Sequence, residues 1–259
     1  MDLGIAGRKA IVCASSAGLG RACAIELARA GVDIVVNGRD AAKLTATADA
    51  IRAETGVRVT EVVADLSSEQ GRAALLAACP DPDILVNNNG GPPVKPYTDL
   101  DADGIRAGVE ANFVTPALLI QAVLPGMVAR GFGRVVNITS GSVKMPLPGL
   151  DLSSGARAGL TGFVAGIARS VAHANVTING LLPGSFDTAR IASMSEAAAA
   201  KNGTTPAEEK AKRADTIPAK RIGDPAEFGA ACAFLCSDKA GFITGQSLLI
   251  DGGAFPGIM

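Results

Sequence analysis

The sequence predicts an α/β protein with a doubly wound, seven-stranded parallel sheet and helices on both faces, and three observations carry that expectation. Short β-branched runs alternate with alanine-rich stretches of helical length almost from end to end. Most of the runs are continuously apolar rather than alternating, as expected of parallel strands covered on both faces. No linker-like Pro/Gly/Ser stretch and no internal repeat divides the chain, so residues 1–259 are expected to form one domain.

In order, the strands are expected at Lys9–Ala14, Asp33–Asn37, Arg58–Ala64, Asp83–Asn87, Arg134–Thr139, Val176–Leu181 and Ser247–Ile250. Between them the helices read Gly20–Ala30, Ala41–Glu54, Ser68–Ala78, Ile105–Ala129, Ser154–Ala172 and Pro225–Ser237. Asp40, ahead of Ala-Ala-Lys-Leu, is an expected helix N-cap. Strand–helix alternation of this kind implies right-handed crossovers. One segment breaks the rhythm. Residues 185–223 are rich in Ala, Lys and Glu and hold no strand. Phe186, Ile191 and Met194 give the segment an apolar side, which suits a lid over a site.

Composition removes several function classes. Apolar residues make up 48% and charged residues 19%, enough for a large core and wrong for a disordered chain. With 24 basic and 25 acidic residues, 3% aromatics and no Trp, there is neither a basic stripe nor a stacking platform for nucleic acid. No run approaches 18 uninterrupted apolar residues, so no membrane span is expected. The N-terminus lacks the cationic and apolar regions of a signal peptide. Cys13, Cys23, Cys79, Cys232 and Cys236 lie in apolar segments without neighbours to complete a zinc site. They read as buried thiols in a reducing, cytoplasmic compartment.

The first strand runs through Cys13-Ala14-Ser15-Ser16-Ala17-Gly18-Leu19-Gly20 straight into a helix. Glycines there let the backbone approach a pyrophosphate, whose charge rests on the helix N-terminal amides, as in a Rossmann-type dinucleotide site. The second strand ends Val36-Asn37-Gly38-Arg39, with glycine where an NAD site would place an acid. The Arg39 fork suits a ribose 2′-phosphate, so NADP is expected ahead of NAD.

This turn, Asn87-Asn88-Asn89-Gly90 after the fourth strand, Pro183-Gly184 with Thr188 after the sixth, and the ending Thr244-Gly245-Gln246 with Asp251-Gly252-Gly253 resemble the short-chain dehydrogenase/reductase family. Within it the chain looks most like the β-ketoacyl carrier-protein reductase group. The resemblance covers nearly the whole chain. It implies a cofactor site built from Ser15, Ser16, Gly18, Leu19 and Gly20 at the pyrophosphate, and Asp65 and Leu66 at adenine. Asn88 and Gly90 would line the cleft, with Pro183, Gly184, Phe186 and Thr188 near the nicotinamide. The family's opening Thr-Gly pair is Cys13-Ala14 here, an exchange compatible with the turn only if residue 14 needs no positive φ. The resemblance also implies a homo-oligomer, commonly a tetramer, and Gly241–Met259 is apolar enough for a subunit contact.

The family's chemistry uses Asn, Ser, and a Tyr-x-x-x-Lys pair opening a long helix. Asn112 and Ser140 occupy the first two positions, but Ser153 stands for the tyrosine and Arg157 for the lysine. The only tyrosine, Tyr97, lies in the loop after the fourth strand. A carbonyl reduced to an alkoxide needs a proton donor within hydrogen-bond reach. An aliphatic hydroxyl is a far weaker acid than a phenol, and Arg157 can still bind the cofactor's ribose hydroxyls and supply positive charge but takes no part in a proton relay. Lys144, four residues past Ser140 and expected beside Arg157, is the best candidate acid–base group, ahead of Tyr97 and Asp151. The expected function is an NADP-dependent oxidoreductase interconverting a small carbonyl compound and its secondary alcohol. The alternative is a non-redox dinucleotide-binding sensor or partner protein.

Overall fold

The computed structural model describes residues 1–91 and 94–258. Pro92, Pro93 and Met259, the last residue of the expected C-terminal contact segment, lie outside that set. Within it β1 (Lys9–Val12), β2 (Asp33–Gly38), β3 (Val59–Val63), β4 (Ile84–Asn87), β5 (Gly133–Ile138), β6 (Val176–Pro183) and β7 (Ser247–Ile250) form one parallel sheet. The strand order is β3-β2-β1-β4-β5-β6-β7. It reverses between β1 and β4, and such switch points open a crevice at the strands' carboxyl ends. Val12 sits opposite both Val36 and Val86, so the crevice is floored by three aligned strands.

The helices are α1 (Gly18–Arg29), α2 (Ala41–Thr55), α3 (Glu69–Ala78), α4 (Ala102–Val109), α5 (Thr115–Arg130), α6 (Asp151–Val171), α7 (Ala189–Asn202), α8 (Pro206–Thr216) and α9 (Pro225–Leu235). Asp40 caps α2 as expected, accepting from Lys43 N at 3.1 Å. One core lies under α1, α2 and α9, with Cys23, Leu27, Leu44, Phe228 and Cys232 fully buried. The other lies under α3, α5 and α6, around Leu75, Leu119, Met127 and Leu160. Each such leucine contributes about 1.5–3 kcal/mol by leaving water. All five cysteines are free and buried.

Two elements differ from the sequence expectation. The single helix expected over 105–129 is interrupted by a π turn at Glu110–Val114, where Thr115 N bonds back to Glu110 O. Pro116 explains it. Its nitrogen has no proton for Asn112 O, and its ring crowds that carbonyl, so the helix widens by one residue. The widened turn leaves Asn112 only 3% exposed. The run Ala102–Arg130 is also, by length and composition alone, apolar enough to cross a membrane. In this fold its apolar face covers the sheet, with Leu119, Ile120, Val123 and Met127 in the core.

The second difference is at 185–223, which is a helical hairpin. α7 ends at Gly203 with φ +67°, and α8 opens on a capping box in which Thr205 and Glu208 bond reciprocally. A parallel bridge between Phe186 and Gly223 ties the ends of the segment together.

Candidate active site

The turn after β1 is held open by its own polar contacts. Ser15 is buried; its Oγ donates to Val12 O at 2.7 Å and accepts from Asn37 N at 3.0 Å. Ser16 O accepts from Thr47 Oγ1 at 3.0 Å. Ala14 has φ +44°, so the turn does require the left-handed region and an alanine adopts it, against expectation. Asn88 compensates from β4's end: its Nδ2 donates to Ala14 O at 3.2 Å. Asn37 Oδ1 receives Ala14 N at 3.3 Å from the other side.

Gly18 begins α1 with φ +58°, and Ala17 in the N-cap position offers no side-chain acceptor. The first turn carries no acid either, so its amides are available to an anion. A Cβ on Gly20 would strike Ala14 O and come within 2.7 Å of Asn88 Nδ2. Beside Gly90 a Cβ would meet nothing within 4 Å, while Thr188 Cγ2 would stand 3.7 Å from one on Gly18. The uncapped helix, close-packed Gly20 and open space at Gly90 fit a dinucleotide. Leu19 packs half-buried against the core beneath. At the far end of the crevice Arg39 is 78% exposed, with Asp65 Oδ2 4.0 Å away. Leu66 is buried and lines the cleft.

On the other wall, Pro183 closes β6 and Gly184 N donates to Ile250 O at 2.8 Å. Backbone at Asp251 lies 2.7 Å from where a Gly184 Cβ would sit, so glycine is required. Phe186 follows two residues on. Its ring is turned into the core, edge-on to Phe228 at 5.3 Å, leaving only its backbone for the cleft.

Arg157, from α6, lines a small cavity beside the ends of β4 and β5. It is 7% exposed, and its Nη1 donates to Ile138 O at 2.7 Å and Thr139 O at 2.9 Å, the last carbonyl of β5 and the one just past it. Its Nε donates to Ser153 Oγ at 3.2 Å, one helical turn back on α6. Burial first, and the charge of Arg190 second, pull its pKa down to about 10, which still leaves it cationic at neutral pH. Ser140, half-buried just past β5, accepts from Ser142 N at 3.1 Å. Lys144 is half-buried at the end of the same loop's short turn, Gly141–Val143. Asn112 Nδ2 donates to Gly108 O at 3.1 Å. Asn112 Oδ1, Thr139 Oγ1 and Ser142 Oγ are buried with no partner among the described residues.

One small cavity is lined by Leu66, Asn88, Asn112 and Arg157 together. A neighbouring cavity of about 300 Å³ is lined by Leu100, Ala107, Ala111, Asn112 and Leu152, with Lys95 and Asp99 also on its wall. Tyr97 is 76% exposed and lines neither; Asp151 is exposed in the first turn of α6.

Sequence reading missed two contributors. Asn37 knits β1's turn to β3 through Val62 O at 3.0 Å and Ala64 O at 3.1 Å; its place at a strand end was the available signal. Arg190, in the first turn of α7, lies against Gly91. Nothing in the linear sequence pairs those positions.

A seven-stranded parallel sheet with this order, an uncapped glycine turn after β1, and Asn88 and Ser140 just past the carboxyl ends of β4 and β5 are the frame of a dinucleotide-dependent oxidoreductase. The family model described as enoyl-(acyl carrier protein) reductase matches residues 13–254, and the chain belongs to the short-chain dehydrogenase/reductase family. It is 31% identical to the 3-oxoacyl-acyl-carrier-protein reductase FabG of Aquifex aeolicus, over 98% of this chain and 100% of that one. The L-sorbose reductase of Gluconobacter frateurii, solved with NADPH and L-sorbose, superposes with a TM-score of 0.95 at 28% identity, covering 100% of both chains. A 7α-hydroxysteroid dehydrogenase solved with NADH and a 7-oxo bile acid conjugate gives 0.84 at 30% identity, over 97% of this chain and 96% of that one.

Proposed function

We propose that the chain is an NADP-dependent oxidoreductase that interconverts a small carbonyl compound and its secondary alcohol through an altered catalytic centre. The observation that carries this reading is the continuity of the cleft. Asn88, whose Nδ2 holds the turn ahead of α1, lines the same small cavity as Asn112 and Arg157, and Arg157 is bonded to Ser153. NADP is favoured over NAD because the exposed Arg39 fork follows β2 directly and Gly38 stands where an acid would hold a ribose hydroxyl. Ser15, Ser16, Gly18, Leu19 and Gly20 would hold the pyrophosphate. Asp65 and Leu66 would hold adenine, and Pro183, Gly184 and Thr188 the nicotinamide end.

The bound cofactor supplies or accepts the hydride. Ser153 Oγ already accepts from Arg157 Nε, so its own proton is free to point at a substrate oxygen. Ser140, from the loop that Arg157 fixes through the carbonyls at the end of β5, offers a second hydroxyl to that oxygen. The buried guanidinium favours negative charge building there, since it is poorly screened. Lys144 Nζ gives up the proton and regains it from solvent. The α7–α8 hairpin acts as the lid. The protein works in the cytoplasm as a homotetramer, its buried free thiols fitting a reducing compartment.

The test is a fluorescence titration with NADPH and NADH, then a ketone panel followed by nicotinamide absorbance. Tight NADPH binding with oxidation by at least one ketone, lost in Lys144→Ala and Ser153→Ala, is the expected result. Tight binding with no turnover of any ketone would replace this reading with the non-redox one.

A further inference from the structure

Among the described residues, the positive charge in the cleft has no counter-ion. Arg157 is nine-tenths buried, and no carboxylate lies within ion-pairing distance of it among the described residues. Its Nε and Nη1 are committed to Ser153, Ile138 and Thr139, and no acceptor among those residues meets Nη2. Backbone carbonyls satisfy hydrogen bonds but carry no net charge, so the desolvation cost of the cation is only partly offset.

A second guanidinium lies against Gly91, two residues past Asn89, which lines the same cavity as Arg157. Arg190 reaches from the first turn of α7 to Gly91, so closely that its Nη1 would overlap a Cβ at that glycine. It too has no carboxylate partner among the described residues. The nearest acid along its own chain, Asp187, is taken by Lys210 through both oxygens at 2.8 Å. Burial first, and the charge of Arg190 second, lower the pKa of Arg157, so the two like charges lie within electrostatic reach of one another. An anion between them would relieve both the repulsion and the uncompensated burial.

The cofactor's own anions have other places to go: the diphosphate at the uncapped start of α1, the 2′-phosphate at Arg39. We infer that the carbonyl substrate carries a carboxylate, held between the Arg157 and Arg190 guanidiniums beside Gly91. Planar forks suit a carboxylate's two oxygens, and this substrate class rests on the reductase reading above. Because Arg190 belongs to the lid and Arg157 to the floor, the carboxylate also links the two. The site therefore distinguishes acids from neutral ketones chiefly through Arg190, to which the hydride step above assigns no part.

The experiment pairs each of a series of straight-chain 2-, 3- and 4-oxo acids with its methyl ester, which keeps the ketone and removes the charge. Wild-type kcat/KM is expected to favour at least one acid by roughly 10–100-fold, as a charge-assisted hydrogen bond implies. Arg190→Gln should bring that preference close to one, mainly through KM, with Arg190→Lys recovering part of it and NADPH affinity unchanged. In parallel, calorimetry follows malonate binding to the NADPH complex, which should be seen in wild type and lost in Arg190→Gln. Esters reduced as well as acids would overturn the inference and leave the reductase reading intact. An Arg190→Gln variant that weakens NADPH as much as the acid would also overturn it, by assigning Arg190 to the cofactor's phosphates. If no ketone of either kind is reduced, the reductase reading falls, and the malonate titration still decides whether the anion site exists.

Discussion

Arg157 Nε donates to Ser153 Oγ at 3.2 Å, so the two residues standing in the positions of the family's tyrosine and lysine are bonded directly to each other. The same guanidinium clamps Ile138 O and Thr139 O, which gives the pair a structural task besides the chemical one proposed for it. Arg157→Met is expected to lower stability by about 1.5–3 kcal/mol, the worth of hydrogen bonds to a charged donor, measured by urea denaturation. The double variant Ser153→Tyr with Arg157→Lys restores a phenol and an ammonium one turn apart. It should raise kcat on a reducible ketone by about 100-fold or more, the range of a well-placed general acid. Neither single change should reach that gain, and a double variant no faster than wild type would remove the proton-donor argument.

Cofactor choice rests on Arg39. It is 78% exposed, so replacing it disturbs little packing. Arg39→Gln should weaken NADPH by roughly 10–100-fold and leave NADH within about twofold, read from parallel fluorescence titrations. Equal losses for both cofactors would mean that the side chain does not meet the 2′-phosphate.

The turn at Ala14 is strained and the one at Gly20 is full. With φ +44° at Ala14, Ala14→Gly removes a Cβ penalty of about 1–2 kcal/mol and returns part of it as unfolded-chain entropy. A net gain of about 0.5–1 kcal/mol is expected, a rise of roughly 1–4 °C in Tm. Gly20→Ala should do the opposite. Its new methyl runs into Ala14 O and Asn88, which must separate. NADPH affinity should drop by at least about tenfold as the turn shifts away from the amides of α1. Calorimetry and the NADPH titration check the pair.

Alkaline pH should unfold the chain through its thiols. Burial raises the Cys13 thiol from 9.0 to about 12, and Cys79, Cys232 and Cys236 are raised as well. A thiol that is a weaker acid when folded holds its proton better in the native state. Its stabilising contribution is complete below pH 9 and is lost as pH rises from there toward 12. Each such group contributes a slope of up to about 1.4 kcal/mol per pH unit. Cys13→Ala should flatten that limb in denaturation curves taken from about pH 8 to about pH 10.5. An unchanged slope would remove Cys13 from the account.

The sheet was legible because its strands are continuously apolar. All seven expected strands appear, shifted by at most two residues at their ends. β1 stops at Val12 rather than Ala14 because residue 14 leaves the extended region, which no propensity announces for alanine. The placement of Ser153 and Arg157 one turn apart on a long helix was legible from spacing, but the direction of the Arg157 side chain, toward the carbonyls at the end of β5, was not. The π turn at Asn112 was written in Pro116, yet a proline one residue inside a helix is equally at home in an ordinary first turn. Arg190 escaped because its neighbour, Gly91, lies about a hundred residues earlier and meets it only when α7 folds over the cleft.

The five buried thiols have a further use. None is open to a reagent in the native state, so the rate at which each is alkylated reports how often its surroundings part. Cys23 on α1 and Cys232 and Cys236 at the end of α9 watch one seam of the molecule; Cys13 watches the mouth of the cleft, and Cys79 the end of α3. The chain thus carries its own set of clocks for local opening. A ligand that grips the cleft should slow the clock at Cys13 more than the one at Cys79.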